Sequence, residues 1–309
     1  MRPAGATRWP SSARAAALLI LALSVLTAAG PAGAALPDRG DADDARDPEG
    51  YTALAEFQPH PERDRLAVEG LTLIRTQRAD RTQAVVARDA AGWAHVVLEG
   101  YRLTFYSLGR QALRRVPGRH VLVQEWSGGA HCCFDFHVLR VDGVRVYREG
   151  TIRAGDCDLK VADLAGDGDL ALIACDARFA YAFDLPFAES PLVPLVYRFR
   201  DTGYAADNRH FPELFRARIR EEQRRLVEAE QQGDARAARR LVLSLLLHRL
   251  YAGWVTDGWC GFERAYRWDD RLAVRQEVLA RLRRTADPDD GRLPFADVSY
   301  TLESPARCL

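Results

Sequence analysis

Residues 158–175 read DLKVADLAGDGDLALIAC. Two short aliphatic runs flank Gly166, and the middle, Asp163 to Asp169, sets two glycines among acids. Glycine supplies the positive φ of a tight reversal, and aspartate hydrogen-bonds the amides just downstream of itself, so this stretch is a hairpin. Pairing about Gly166 opposes Asp163 to Asp169 and Cys157 to Cys175. Opposed residues in an antiparallel pair sit about 4.5–5.5 Å apart at Cα, inside the window of a disulfide. One hairpin therefore predicts both an antiparallel sheet and a Cys157–Cys175 bridge, and a slip of one residue breaks the match.

The same pattern extends upstream and downstream. Strand-like runs occur at 71–76, 82–88, 93–99, 101–106, 120–126, 131–141, 144–149, 177–183 and 194–200, separated by hairpin-length turns such as Ala90-Ala91-Gly92 and Asp142-Gly143. No long helical period interrupts them, which argues for antiparallel meanders over a parallel sheet. After about residue 205 the period changes. PELFRARIREEQRRLVEAEQQ (212–232) begins with proline in its first turn and stops at Gly233. Asp234 can cap a second helix whose core, 241–254, is apolar on nearly every face, and Asp269 or Asp270 can cap a third through Arg283. The expected fold class is segregated α+β, with a β-rich domain over 67–204 followed by a small helical domain over 205–309.

Upstream the chain is of a different kind. Residues 1–34 carry Arg2, Arg8 and Arg14, no acid, and an unbroken apolar run over 15–29 that ends before Ala32-Gly33-Ala34. A spanning helix needs about 20 apolar residues, so the pattern is that of a signal peptide cut after Ala34. A disordered acidic leader is expected over 35–66. The expected destination is periplasmic or secreted, with no stable membrane anchor after cleavage. All six cysteines follow the cut, and an even number in an oxidising compartment reads first as disulfides. With Cys157 and Cys175 paired, elimination sets Cys260 against Cys308 and leaves Cys132 and Cys133 as a vicinal bridge or a free pair. A swapped connectivity is the alternative.

Segment 126–137, WSGGAHCCFDFH, is densest in reactive side chains. On a strand Cys132, Phe134 and Phe136 share one face and His131, Cys133, Asp135 and His137 the other. Strand residues advance about 3.3 Å each, so His131 and His137 stand about 20 Å apart and cannot share one ion. Structural cysteines beside a polar face are the expectation, with a metal or thiol-redox centre on His131, Cys133 and His137 as the alternative. Asp163, Asp167 and Asp169 are candidate calcium ligands, since a hard cation needs converging carboxylates at a glycine turn. A plain turn is the competing reading, because Ala165 stands where a further oxygen ligand belongs. Trp254, Trp259, Phe262, Tyr266 and Trp268 suit a helical core, and the i,i+4 pairs Arg218–Glu222 and Glu221–Arg225 suit a solvated face.

Charge narrows the function classes. The chain balances 43 basic against 43 acidic residues, and loss of residues 1–34 leaves it slightly acidic, which argues against a nucleic-acid grip. No serine elbow, HExxH or nucleotide loop occurs. A non-catalytic binding or structural module for an unknown protein or small ligand is therefore expected.

The loop Asp163-Leu164-Ala165-Gly166-Asp167-Gly168-Asp169-Leu170 resembles the aspartate–glycine loop of FG-GAP or VCBS-type β-propeller repeats. That likeness implies propeller-blade-like meanders and calcium on Asp163, Asp167 and Asp169. Together with WSGGAHCC (126–133), Asp176 to Tyr181 and Phe187 to Pro191, the loop is similar to a group of uncharacterised exported bacterial proteins. The likeness covers about residues 120–205 and implies no activity.

Overall fold

Three antiparallel meanders in sequence order build the β part of this computed structural model, which describes residues 59–60, 64–108, 113–128, 134–283 and 308. The first sheet holds β2 (Arg65–Val68), β3 (Leu71–Gln77), β4 (Gln83–Asp89) and β5 (Ala94–Gly100). The central sheet adds β1 (Pro59–His60) to β6 (Leu103–Ser107), β7 (Arg119–Trp126), β8 (Phe134–Asp142) and β9 (Arg145–Gly155), in the order β1-β6-β7-β8-β9. The third holds β10 (Lys160–Ala162), β11 (Ala171–Asp176), β12 (Val193–Arg200) and β13 (Gly203–Ala206). Four helices follow: α1 (Pro212–Gln232), α2 (Ala235–Tyr251), α3 (Val255–Ala265) and α4 (Arg271–Arg283). The meanders are blade-like, and no sheet closes into a barrel.

Burial explains the order of the layers. In β3 only alternate residues, Leu71 and Leu73, are buried, as in a sheet wet on one side. In β7 the run His120 to Val123 is buried without a break, and in β8 Phe136 to Leu139 is too, so the central sheet is covered on both faces. One face, with Phe105, Val121, Val123 and Leu139, packs on Leu73, Val85 and Leu98 of the first sheet. The other, with Leu122, Phe136, Val138 and Ile152, shares a core with Leu172 and Val196 of the third sheet and with Leu243, Leu246 and Tyr251 of α2. The boundary expected at 204 thus falls inside β13, the helices begin at Pro212, and one core runs across the change.

The helix signals act as their chemistry requires. Gly233 closes α1 in the left-handed region at φ 71°. The Asp234 side chain accepts from Ala237 N at 2.9 Å to start α2. No helix among the described residues is long and apolar enough to cross a membrane.

Several expectations need correction. The leader over 35–66 overruns the sheet, for β1 lies at Pro59–His60 and β2 begins at Arg65. The 158–175 hairpin forms, but Ala162 opposes Ala171 and Lys160 opposes Ile173, one residue away from pairing about Gly166. Residues 177–183 are not a strand. Tyr181, Phe183 and Asp184 take φ of 57–58°, and Phe179, Ala182 and Phe183 fill space inside the core shared by the third sheet and the helices. The aromatic stretch after Trp254 holds an unforeseen helix, α3. Glu222 does not face solvent: it is held between α1 and α2 by the Ser244 hydroxyl and by His248, whose Nδ1 lies 3.1 Å from its carboxylate.

Candidate functional site: a cleft beside the aspartate–glycine loop

Three segments remote in sequence meet at one end of the third sheet. Leu170 N donates to Leu113 O at 2.7 Å, and Arg115 N donates to Asp169 Oδ1 at 3.1 Å. These bonds fasten the irregular segment 113–118 to the aspartate–glycine loop. The β12–β13 hairpin and Phe211 complete a small open cleft of about 40 Å³. Leu113, Leu170, Ala171, Phe199 and Phe211 supply its apolar lining, and Arg114, Arg198, Asp167, Asp169 and Tyr204 its polar groups.

Tyr204 is the anomaly in that lining. It is only 8% exposed, its ring stands edge-on to Phe199 with centroids 5.7 Å apart, and its hydroxyl has no hydrogen-bond partner among the described residues. Burial pushes the phenol well above its ordinary value, and the neighbouring Glu149 charge pushes further the same way. The group is therefore a neutral O–H at any physiological pH. A buried hydroxyl left unpaired costs about 1–3 kcal/mol.

Behind Tyr204 lies a charged wall built on a β-bulge. Val138 opposes Gly150 and Leu139 opposes Arg148, so Glu149 is the extra residue of β9. A bulge re-aims its side chain, and here the carboxylate, buried, accepts from Arg140 Nε at 2.7 Å, lies 3.2 Å from His120 Nε2 and takes the Arg114 guanidinium. Burial alone would raise the Glu149 carboxyl, but bonds from His120, Arg114 and Arg140 hold it at about 2. Arg114 also lies 3.5 Å above the Phe199 ring centroid, a cation–π contact that fixes it at the cleft wall. Arg198 stands 3.8 Å from Asp207.

The three aspartates of the loop are engaged with backbone amides. Asp163 Oδ2 accepts from Gly168 N at 2.9 Å, Asp167 Oδ1 from Asp169 N at 2.9 Å, and Asp169 Oδ1 from Arg115 N. Gly168 sits at φ 82°, and a Cβ there would run into the Arg115 guanidinium. Among the described residues no group of three or more His, Cys, Asp or Glu side chains is placed to hold a metal ion. One carboxylate oxygen of each of Asp163, Asp167 and Asp169, the candidate calcium ligands, thus shapes the loop.

His137 belongs to a separate polar chain. Its Nε2 lies 3.0 Å from Glu125 Oε2 and its Nδ1 3.1 Å from Thr151 Oγ1, with Arg148 Nη2 donating to Thr151 Oγ1 at 3.0 Å and lying 3.2 Å from Nδ1. The donor Arg148 makes Nδ1 the acceptor, so Nε2 carries the proton toward Glu125. Burial lowers the His137 pKa, against the raising effect of Glu125, and the imidazole is neutral at pH 7. Its bonds tie β7, β8 and β9 together. His131, Cys132 and Cys133 lie outside the described residues.

The structure pairs Cys157 with Cys175, Cα atoms 5.8 Å apart, and Cys260 with Cys308, 5.1 Å apart. The first bridge tolerates the shifted register because Cys157 lies in a turn outside the ladder, its N donating to Ala154 O at 3.0 Å. No protein-family model, curated protein or solved structure matches the chain. Sequence reading found the two aspartates of the cleft but not Arg114, Arg198 or Tyr204. Each of those lies in its own segment, and no local spacing links them.

Proposed function

We propose that the protein is an exported, disulfide-stabilised, non-catalytic binding module whose ligand site is the cleft beside the aspartate–glycine loop. Export is supported by the basic and apolar pattern of residues 1–34 and by the paired cysteines. The site is supported above all by the Tyr204 hydroxyl, buried at the cleft and unpartnered among the described residues. Folded chains leave few such groups unpaired, and each one that persists calls for an explanation; at the wall of a cleft, a bound ligand supplies one. Two guanidiniums and two carboxylates on an apolar lining suit a small polar ligand, and a concave site of this kind is where such ligands bind.

Tyr204→Phe tests this reading by a gain in stability. If the hydroxyl is kept for a ligand, its removal relieves the free protein and raises the thermal midpoint by a few degrees, at about 2–4 °C per kcal/mol for a chain of this size. A lower midpoint would mean that the hydroxyl serves the unliganded fold, and the cleft would lose its claim.

A further inference from the structure

We infer that the cleft takes a small zwitterion with an apolar arm, an α-amino acid, its carboxylate on Arg114, Arg198 and the Tyr204 hydroxyl and its ammonium on Asp167 and Asp169. This inference rests on reading the cleft as a ligand site and names the ligand's chemistry.

The argument starts from what each lining group has left to offer. Arg114 commits Nε and Nη2 to Glu149, and Nη1 has no partner among the described residues. Glu149 divides its single charge between Arg114 and Arg140, so the guanidiniums around it outnumber the carboxylate. Among the described residues Arg198 has only the long contact to Asp207, and its side chain is about one-third exposed, at 36%. On the other side, Asp167 and Asp169 each spend one oxygen on a backbone amide, and the second oxygen of each has no hydrogen bond among the described residues.

Charge then selects among ligand classes. A plain anion drawn to the guanidiniums would meet two carboxylates in the same small cleft, and a plain cation would meet two guanidiniums. A molecule carrying both signs within a few bonds can meet all four groups, and each of its charges, stripped of water, gains an opposite partner. Charge-assisted hydrogen bonds of this kind are about twice as strong as neutral ones, and the unpaired Tyr204 O–H completes the set of donors for a carboxylate. The remaining lining, with Leu113, Leu170, Phe199 and Phe211, offers an aliphatic or aromatic side chain a dry wall. Leucine meets these demands.

Calorimetric titration of the exported chain, disulfides intact, with L-leucine, N-acetyl-L-leucine and L-leucinamide tests the assignment. The acetyl derivative lacks the ammonium, and the amide lacks the carboxylate. Leucine is expected to bind, with each blocked analogue weaker by about tenfold or more. Asp169→Asn retains an oxygen for Arg115 N and removes the charge, and it is expected to weaken leucine by a similar factor while leaving N-acetyl-leucine no weaker. Absence of leucine binding, or equal binding of leucine and either analogue, would overturn the zwitterion, as would leucine binding unaffected by Tyr204→Phe. The thermal midpoint of Tyr204→Phe separates the two failures. A raised midpoint with no leucine binding would sink the ligand class alone, and a lowered one would sink the cleft with it.

Discussion

Tyr251 and Tyr204 are both buried, at 0% and 8% exposure, and they are treated in opposite ways. Tyr251 on α2 donates to Asp176 Oδ2 at 2.6 Å. Asp176 also accepts from Arg178 N at 2.9 Å, and Arg178 O accepts from Arg281 Nη1 at 2.6 Å, so one knot fastens α2 and α4 to the third sheet. Tyr204, on the same sheet, points its hydroxyl at no described acceptor. One residue type thus serves as a rivet in one place and as an unpaired donor in another. At the joint the hydroxyl is bonded to a buried carboxylate, and at the cleft wall the same group is left unbonded among the described residues.

The largest effect should come from the wall that backs the cleft. Glu149→Ala leaves Arg114, Arg140 and His120 without their shared acceptor, and removing one partner of a buried ionic group costs about 3–5 kcal/mol. Chemical denaturation measures this directly, and a cost below about 1 kcal/mol would show that the network is a surface ornament. The same network sets an acid limb. The Glu149 carboxyl falls from an ordinary 4.5 to about 2 on folding. Its contribution is therefore complete above about 4.5 and lost as pH drops toward 2. Glu149→Ala should flatten that part of the stability–pH curve.

A smaller loss is expected at the rivet. Tyr251→Phe leaves Asp176 buried with one donor fewer, at a cost of about 1.5–3 kcal/mol for a hydrogen bond to a charged group. Set beside the stabilisation expected for Tyr204→Phe, the same substitution then has opposite signs at a helix and at the sheet it packs on. Equal signs would break the comparison.

How much of this was legible depended on whether the cause was local. The 158–175 hairpin was readable because aspartate and glycine dictate a turn by themselves. Its register was not, since Gly166 at φ 69° and Gly168 at φ 82° both bend the loop and make it asymmetric about Gly166. Residues 177–183 alternate like a strand, yet Phe179 and Phe183 are claimed by the helical core, and tertiary packing overrode the pattern. Glu222 reads as solvated on its own helix, and only α2, arriving with Ser244 and His248, encloses it. His137 was placed on the polar face of its strand, but its task depended on Glu125 and Thr151 from the two flanking strands. The cleft was least legible, because Arg114, Asp169, Arg198 and Tyr204 come from four segments that only the finished fold brings together.

The smallest predicted effect concerns the loop that forms the acidic side of the cleft. Asp163 accepts from Gly168 N at 2.9 Å, in the manner of a turn cap. Asp163→Ala should cost about 1 kcal/mol, the usual worth of a side-chain bond to an orphan amide. A chelator or added calcium should leave the thermal midpoint of the native chain where it is, because a bound ion would add to stability in proportion to the logarithm of its concentration over its Kd. A midpoint that rises with calcium in the native chain and not in Asp163→Ala would show that the carboxylates converge on an ion in solution. The loop would then be held by its ligand and the cleft beside it by its own bonds, the reverse of the division drawn between Tyr204 and Tyr251.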